Sequence, residues 1–176
     1  NGIEIKELEE SDAQATLVTT DGWRITARKV LVTVNGFAQR FFPDLDLRPA
    51  RNQVLVTEPV GNLPFRGAFH YDRGYVYFRN VEVPGEPTLN RVLLGGYRNL
   101  APEAETTTTF GTTENIQQAL LALLRDTILP GKEVAVDTWW SGIMGLGSTK
   151  RPIVEMATPR IGLAVRLGGM GVALGS

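Results

Sequence analysis

The chain has 176 residues, a formal net charge of -1 and no cysteine, with 43% hydrophobic and 21% charged residues. These values are those of an ordinary globular protein and exclude a disulfide scaffold, a thiolate zinc site and a cysteine nucleophile. A single histidine, His70, rules out a histidine-cluster metal site, so no metal is expected. Fourteen Arg and four Lys are interleaved with acids rather than gathered, so nucleic acid is not an expected partner.

Asn1 is followed at once by strand-like sequence, and the expectation is a chain that begins inside a longer protein. No apolar run of about eighteen residues occurs and no signal-peptide pattern opens the chain. No membrane partner is predicted, and a cytoplasmic location is expected.

Period-2 alternation predicts strands over Ile3–Leu8, Ala15–Thr20 and Trp23–Thr26, with Asp21-Gly22 as a two-residue hairpin signal. Val30–Val34 is apolar on both faces, the pattern of a strand buried inside a sheet, and Asn35-Gly36 leads into a short helical turn before Pro43. Gln53–Glu58, Ala68–Tyr71, Tyr75–Arg79 and Val92–Gly95 read as an antiparallel sheet, with Asp72-Arg73-Gly74 as a hairpin loop. The spacing of Ile116, Leu120, Leu123, Leu124 and Ile128 predicts one helix, capped by Thr112 or Thr113 and stopped by Pro130-Gly131. The Thr106–Thr109 run reads as a loop. Strand pattern returns over Val134–Trp140, Ile153–Met156 and Leu163–Leu167.

Eight of the nineteen glycines lie in the last 35 residues. The stretch from Ile161 to Ala173 reads as a strand, a glycine loop through Gly168, Gly169 and Gly171, and the opening of a helix. Glycines there permit positive φ and close approach of a ligand, although from these residues alone a plain tight turn between two packed elements is the better reading. The dinucleotide fingerprint G-x-G-x-x-G with its later acid is not in the chain.

The succession ARKVLVTVNG, RPARNQVLVTEP, WWSGIMG, KRPIVE and LGGMGVALGS resembles the later part of FAD-dependent oxidoreductases of the D-amino-acid oxidase family, the glycine and sarcosine oxidase group. The resemblance implies an α+β fold: a mostly antiparallel substrate lobe with one main helix, plus a partial FAD-binding lobe. It implies FAD-lobe sequence over 1–46, the substrate lobe over 47–136 and a return to the FAD lobe over 137–176. The implied cofactor is FAD, held by Asn35, Gly36, Gly168, Gly169, Met170, Gly171 and Val172. The implied chemistry is oxidation of a C–N bond in a small amine or amino-acid-like substrate by hydride transfer to flavin. The family's dinucleotide fingerprint would lie upstream of Asn1, so the 176 residues alone are expected to bind FAD poorly and to be inactive.

Members that oxidise amino acids place a carboxylate-clamping Arg after the Trp-x-Gly stretch, where this chain has Met144. Arg98, Arg79 and Lys150 are the substitutes available, each with a plainer reading as a solvent-facing charge. Tyr75, Tyr77, Arg98, Trp140 and Met144 are the candidate substrate-binding residues, and no catalytic residue is assigned. Trp139 and Trp140, adjacent in a strand, must face opposite sides. The alternative function is a stand-alone β-rich module that binds a ligand or protein through the aromatic hairpin Tyr71–Phe78. The oligomeric state is left open.

Overall fold

The computed structural model describes residues 2–174, without the side chains of Val172 and Leu174. Its elements are β1 (Ile5–Glu10), β2 (Ala15–Thr19), β3 (Arg24–Ala27), β4 (Val30–Val32), β5 (Arg48–Thr57), β6 (Val60–Gly61), β7 (Ala68–Tyr71), β8 (Val76–Val83), β9 (Glu86–Gly96), α1 (Glu114–Leu123), β10 (Val136–Leu146), β11 (Ile153–Met156), β12 (Ile161–Val165) and α2 (Gly171–Leu174). The expected α+β character, sheet-rich with one main helix, is what these elements make. Two compact units result, one from Asn1–Ala50 with Met144–Ser176 and the other from Arg51–Ile143. The chain crosses between them inside β5 and β10, at 50/51 and 143/144.

The first unit holds two three-stranded sheets. In β1-β2-β3 the hairpin falls where the sequence predicts, but its loop is the three residues Thr20, Asp21 and Gly22 rather than Asp21-Gly22 alone, because Thr19 N–H bonds the Trp23 carbonyl and Gly22 N–H closes on the Thr19 carbonyl. Gly22 takes φ +90°, and the Thr19 hydroxyl donates to Asp21 Oδ1 at 2.6 Å. In β11-β12-β4 the pair β12–β4 is parallel and β11–β12 antiparallel. Val32, Ile153, Ile161, Leu163 and Val165 bury one face of that sheet against Ala15, Ala38 and Leu47. The other face is open: Leu31 is 63% exposed, Val154 75% and Met156 53%. The expected burial of Val30–Val34 on both sides is therefore incorrect. Its strand is an edge strand with one apolar face uncovered, which periodicity cannot distinguish from a central one.

The second unit is built on the sheet β10-β5-β9-β8-β7, with β6 paired to β9. Leu55, Val76, Val92 and Leu94 project from one sheet face and receive Ile116, Leu120 and Leu124 from the helix. Full burial of each such side chain contributes roughly 1.5–3 kcal/mol. The helix is shorter than its apolar spacing suggests. The α-helical part ends at Leu123, and Leu124–Ile128 continue as one wider π turn that keeps Leu124 and Ile128 in the core. Thr113 occupies the N-cap position but makes no capping bond with its side chain, because its hydroxyl is engaged elsewhere.

That engagement is with Glu105, whose side chain is only 2% exposed. Arg51 grips the carboxylate with two bonds, Nε to Oε2 at 3.0 Å and Nη2 to Oε1 at 2.8 Å. Gln53 Nε2 donates to Oε1 at 2.9 Å and the Thr113 hydroxyl at 2.6 Å. The Arg51 N–H also donates to the Glu105 carbonyl at 2.8 Å. One carboxylate thus ties β5, the 101–113 loop and the start of α1 together. Burial pushes the Glu105 carboxyl up, while the bonds from Arg51, Thr113 and Gln53 and the Arg51 charge outweigh burial and hold it below the ordinary glutamate value.

Two outcomes follow from this network. Glu105→Ala leaves Arg51 buried without its partner and lowers stability by about 3–5 kcal/mol in urea denaturation. A lowered folded-state value means the stabilisation is complete above the unfolded value, about 4.3, and is lost as pH falls through the folded one. Acid titration of wild type and Glu105→Gln should show this pH dependence only in the wild type; identical curves would refute it.

Candidate functional site

In the first unit the chain leaves β12 through a turn with three residues of unusual backbone. Arg166 takes φ +60°, and Gly168 and Gly169 take +57° and +76° on the way to α2. Such angles are easy for glycine and costly for arginine. The turn is pinned from several sides. Asn35, itself at φ +46° where a 3₁₀ turn (Asn35–Arg40) opens, accepts the Leu167 N–H on its Oδ1 at 3.2 Å. The Gly168 N–H donates to the Gly145 carbonyl at 3.1 Å, and the Met170 N–H closes back to Leu167 at 2.9 Å.

Two glycines make this possible. A Cβ on Gly145 would stand 2.5 Å from Asn35 Oδ1 and 2.8 Å from Leu47 Cδ1. A Cβ on Gly169 would meet Met144 Sδ at 3.3 Å. The structure therefore brings Asn35, Gly168, Gly169 and Met144 together in one unit, as the order of motifs does not by itself reveal. Gly36 is buried inside the 3₁₀ turn, Met170 is exposed, and the expectation for Val172 concerns a side chain outside the described residues. Among the described residues the N–H groups of Gly169 and Gly171 have no backbone acceptor. An open pair of donors on a positive-φ turn suits an electron-rich ring or carbonyl approaching the backbone. The amide oxygen of Asn35 holds the turn in place. Gly145 was not singled out from sequence, because its importance comes from a neighbour 110 positions away.

In the second unit, β9 ends at Gly96 and Tyr97 takes φ +58°, turning the chain into a 3₁₀ turn (Arg98–Leu100). A Cβ at Gly96 would collide with the Tyr75 carbonyl, so the glycine lets the two backbones meet. The result places the Arg98 guanidinium over the Tyr75 ring, 5.2 Å from its centroid. Arg98 is half-buried, not simply solvent-facing as its sequence position suggests, and no carboxylate among the described residues pairs with it. Tyr77 lies over Gly95, where a Cβ would come within 2.7 Å of the phenol oxygen. Its Oη accepts Asn52 Nδ2 at 3.0 Å. Burial raises the Tyr77 phenol above its ordinary value, with the Asn52 bond acting in the opposite direction. Tyr97 is also raised, by burial and then by Tyr71 and Asp72 nearby.

The remaining candidates separate clearly. Trp139 packs on the core and Trp140 is exposed, the opposite facing that adjacent strand positions impose. Arg79, Lys150 and His70 are exposed. Met144 touches the glycine turn, so the neutral residue at the expected clamp position packs rather than presents a charge. Among the described residues no group of His, Asp or Glu could hold a metal, and no helix is long and apolar enough to cross a membrane.

The family model described as "FAD dependent oxidoreductase" (DAO) matches residues 1–176. The chain belongs to this family. Its structural relatives include two oxidases and a dehydrogenase. Iminodiacetate oxidase from Chelativorans sp. BNC1 superposes with a TM-score of 0.66 at 18% identity over 96% of this chain and 45% of that one. L-proline dehydrogenase from P. horikoshii gives 0.70 at 12% identity over 98% and 46%. Glycine oxidase from Geobacillus kaustophilus gives 0.65 at 15% identity over 98% and 46%. At these identities the likeness is one of fold, and the chain spans less than half the length of these relatives. No curated protein matches the sequence. The family membership displaces the reading of a stand-alone binding module on Tyr71–Phe78.

The packing of the glycine turn yields a direct expectation. Gly145→Ala forces Asn35 off the Leu167 N–H and costs about 1–3 kcal/mol by overpacking, readable as a lower urea midpoint. An unchanged midpoint would mean that the turn does not depend on this contact.

Proposed function

We propose that the chain is part of an FAD-dependent enzyme that oxidises a C–N bond in a small amine or amino-acid-like substrate by hydride transfer to flavin, and that these 176 residues alone are inactive. The observation that carries the reading is the turn from Leu167 to Met170. It is fixed by Asn35 and Gly145, has glycine backbone at positive φ, and holds two N–H donors with no backbone acceptor among the described residues. Those features fit the ring system of FAD, with Gly168, Gly169, Met170 and Gly171 as the residues that would hold it. When bound, FAD supplies the sink for the two electrons of the oxidation.

This chain's own residues would do the binding and orienting. Arg98 offers a planar cation with no carboxylate partner among the described residues, held above Tyr75, and suits the anionic end of an amino-acid-like substrate. Tyr77 presents a neutral phenol fixed by Asn52. Trp140 adds exposed aromatic surface for the apolar part of a substrate. The compounds after which the relatives are named, glycine, proline and iminodiacetate, all combine an amine with a carboxylate and form a sensible first panel.

The test begins with colour. The intact protein reconstituted with FAD should show flavin absorbance and be bleached anaerobically by a member of the panel; the 176-residue chain should do neither. An intact protein that takes up no FAD overturns the reading. Arg98→Met should raise KM for carboxylate-bearing amines about 10–100-fold, the loss of a charge-assisted contact, with flavin absorbance unaltered. An unchanged KM removes Arg98 from substrate binding.

A further inference from the structure

The residue that enters the glycine turn is an arginine where the backbone favours glycine or asparagine. Arg166 sits at φ +60°, yet its side chain is 12% exposed and is held through Nε and Nη1. Nε donates to the Arg151 carbonyl at 2.8 Å. Nη1 donates to the Asp46 carbonyl at 3.0 Å and to Asp46 Oδ2 at 2.7 Å. Asp46 in turn accepts the Ser148 N–H at 3.0 Å and the Ser148 hydroxyl at 2.6 Å. Gly147 leaves the space, since a Cβ there would collide with Arg166 Cδ and stand 2.6 Å from the Asp46 carbonyl. One guanidinium thus joins three stretches of chain: the Asp46 loop, the Gly147–Arg151 loop and the exit of β12.

We propose that Arg166, paired with Asp46, is the positioning residue that aims the Gly168–Met170 turn at flavin, which rests on the FAD reading above. A turn of two successive glycines has no stiffness of its own, because glycine populates both signs of φ. Its direction must come from its ends. Asn35 and Gly145 fix the middle through single hydrogen bonds, whereas Arg166 fixes the entry through three, including a charge pair. A fork with donors in a fixed plane sets orientation as well as distance, which lysine cannot reproduce. The unfavourable backbone of Arg166 is retained because only a long planar side chain at that position reaches both Arg151 and Asp46.

The test uses the intact protein with FAD as the probe and Arg166→Gly as the variant. Glycine relieves the backbone at φ +60°, so this variant is the one suited to fold while lacking the clamp. The expected result is a flavin dissociation constant raised about tenfold, the usual scale for removing a residue that orients a binding group, with a shifted visible flavin band. Asp46→Asn should move both readouts in the same direction, and the double variant should add little to Arg166→Gly because the two act as one device. Arg166→Gly with unchanged flavin affinity and spectrum overturns the proposal, even if thermal stability falls, since a merely structural residue would alter only the melting. A wild-type protein that binds no FAD overturns the FAD reading and this inference with it, and that outcome is distinct from a variant that binds normally.

Discussion

A carboxylate that has left water must be met by donors on every side, and Glu105 imposes that requirement on the second unit. Its two oxygens receive Arg51 and Gln53 from the same strand and Thr113 from the start of the helix. Because Gln53 also accepts the Thr113 N–H on its own oxygen at 2.8 Å, the helix entry, the loop and the strand cannot move independently. The apolar contacts between helix and sheet supply most of the burial energy, but they are directionless. The polar cluster adds the register: it sets which turn of α1 lies over which residue of β5. This is also why the helix has no capping side chain of its own.

The sequence was most legible where one local rule decides the structure. The Asp21-Gly22 hairpin, the Ala68–Tyr71 and Ile153–Met156 strands and the apolar helix face all follow from turn chemistry or periodicity, and all appear where the pattern puts them. It was least legible where the deciding partner is distant. Glu105 stands beside a threonine run and looks like any loop acid until Arg51, 54 positions earlier, is placed against it. Leu31 looks like core because apolar residues flank it on both sides, although its face of the sheet is open. Arg98 looks solvated because the left-handed Tyr97 that redirects it is neither glycine nor asparagine.

The same contrast runs through the candidate site. Glycines 168 and 169 announced themselves by clustering, and the ordered motifs identified the family. The residues that hold the turn are not marked in that way. Asn35, Gly145 and Arg166 matter through contacts more than 100 positions apart for the first pair and through a backbone angle for the third. Non-glycine residues at positive φ recur at these points: Asn35 and Arg166 around the turn, Tyr97 before Arg98. Each marks a place where the direction of a side chain or loop outweighs a favourable backbone angle.

The open face of the β11-β12-β4 sheet bears on how the chain behaves as a substance. Leu31 and Met156 approach each other across Gly162, with Val154 beside them, so an apolar strip lies on a sheet whose two outer strands pair with no further strand among the described residues. In dilute solution that strip stays hydrated; at high concentration it makes self-adhesion a matter of collision frequency. Detergent, low concentration or a charged residue at Val154 would therefore govern handling of the chain, independently of anything the glycine turn or Arg98 does.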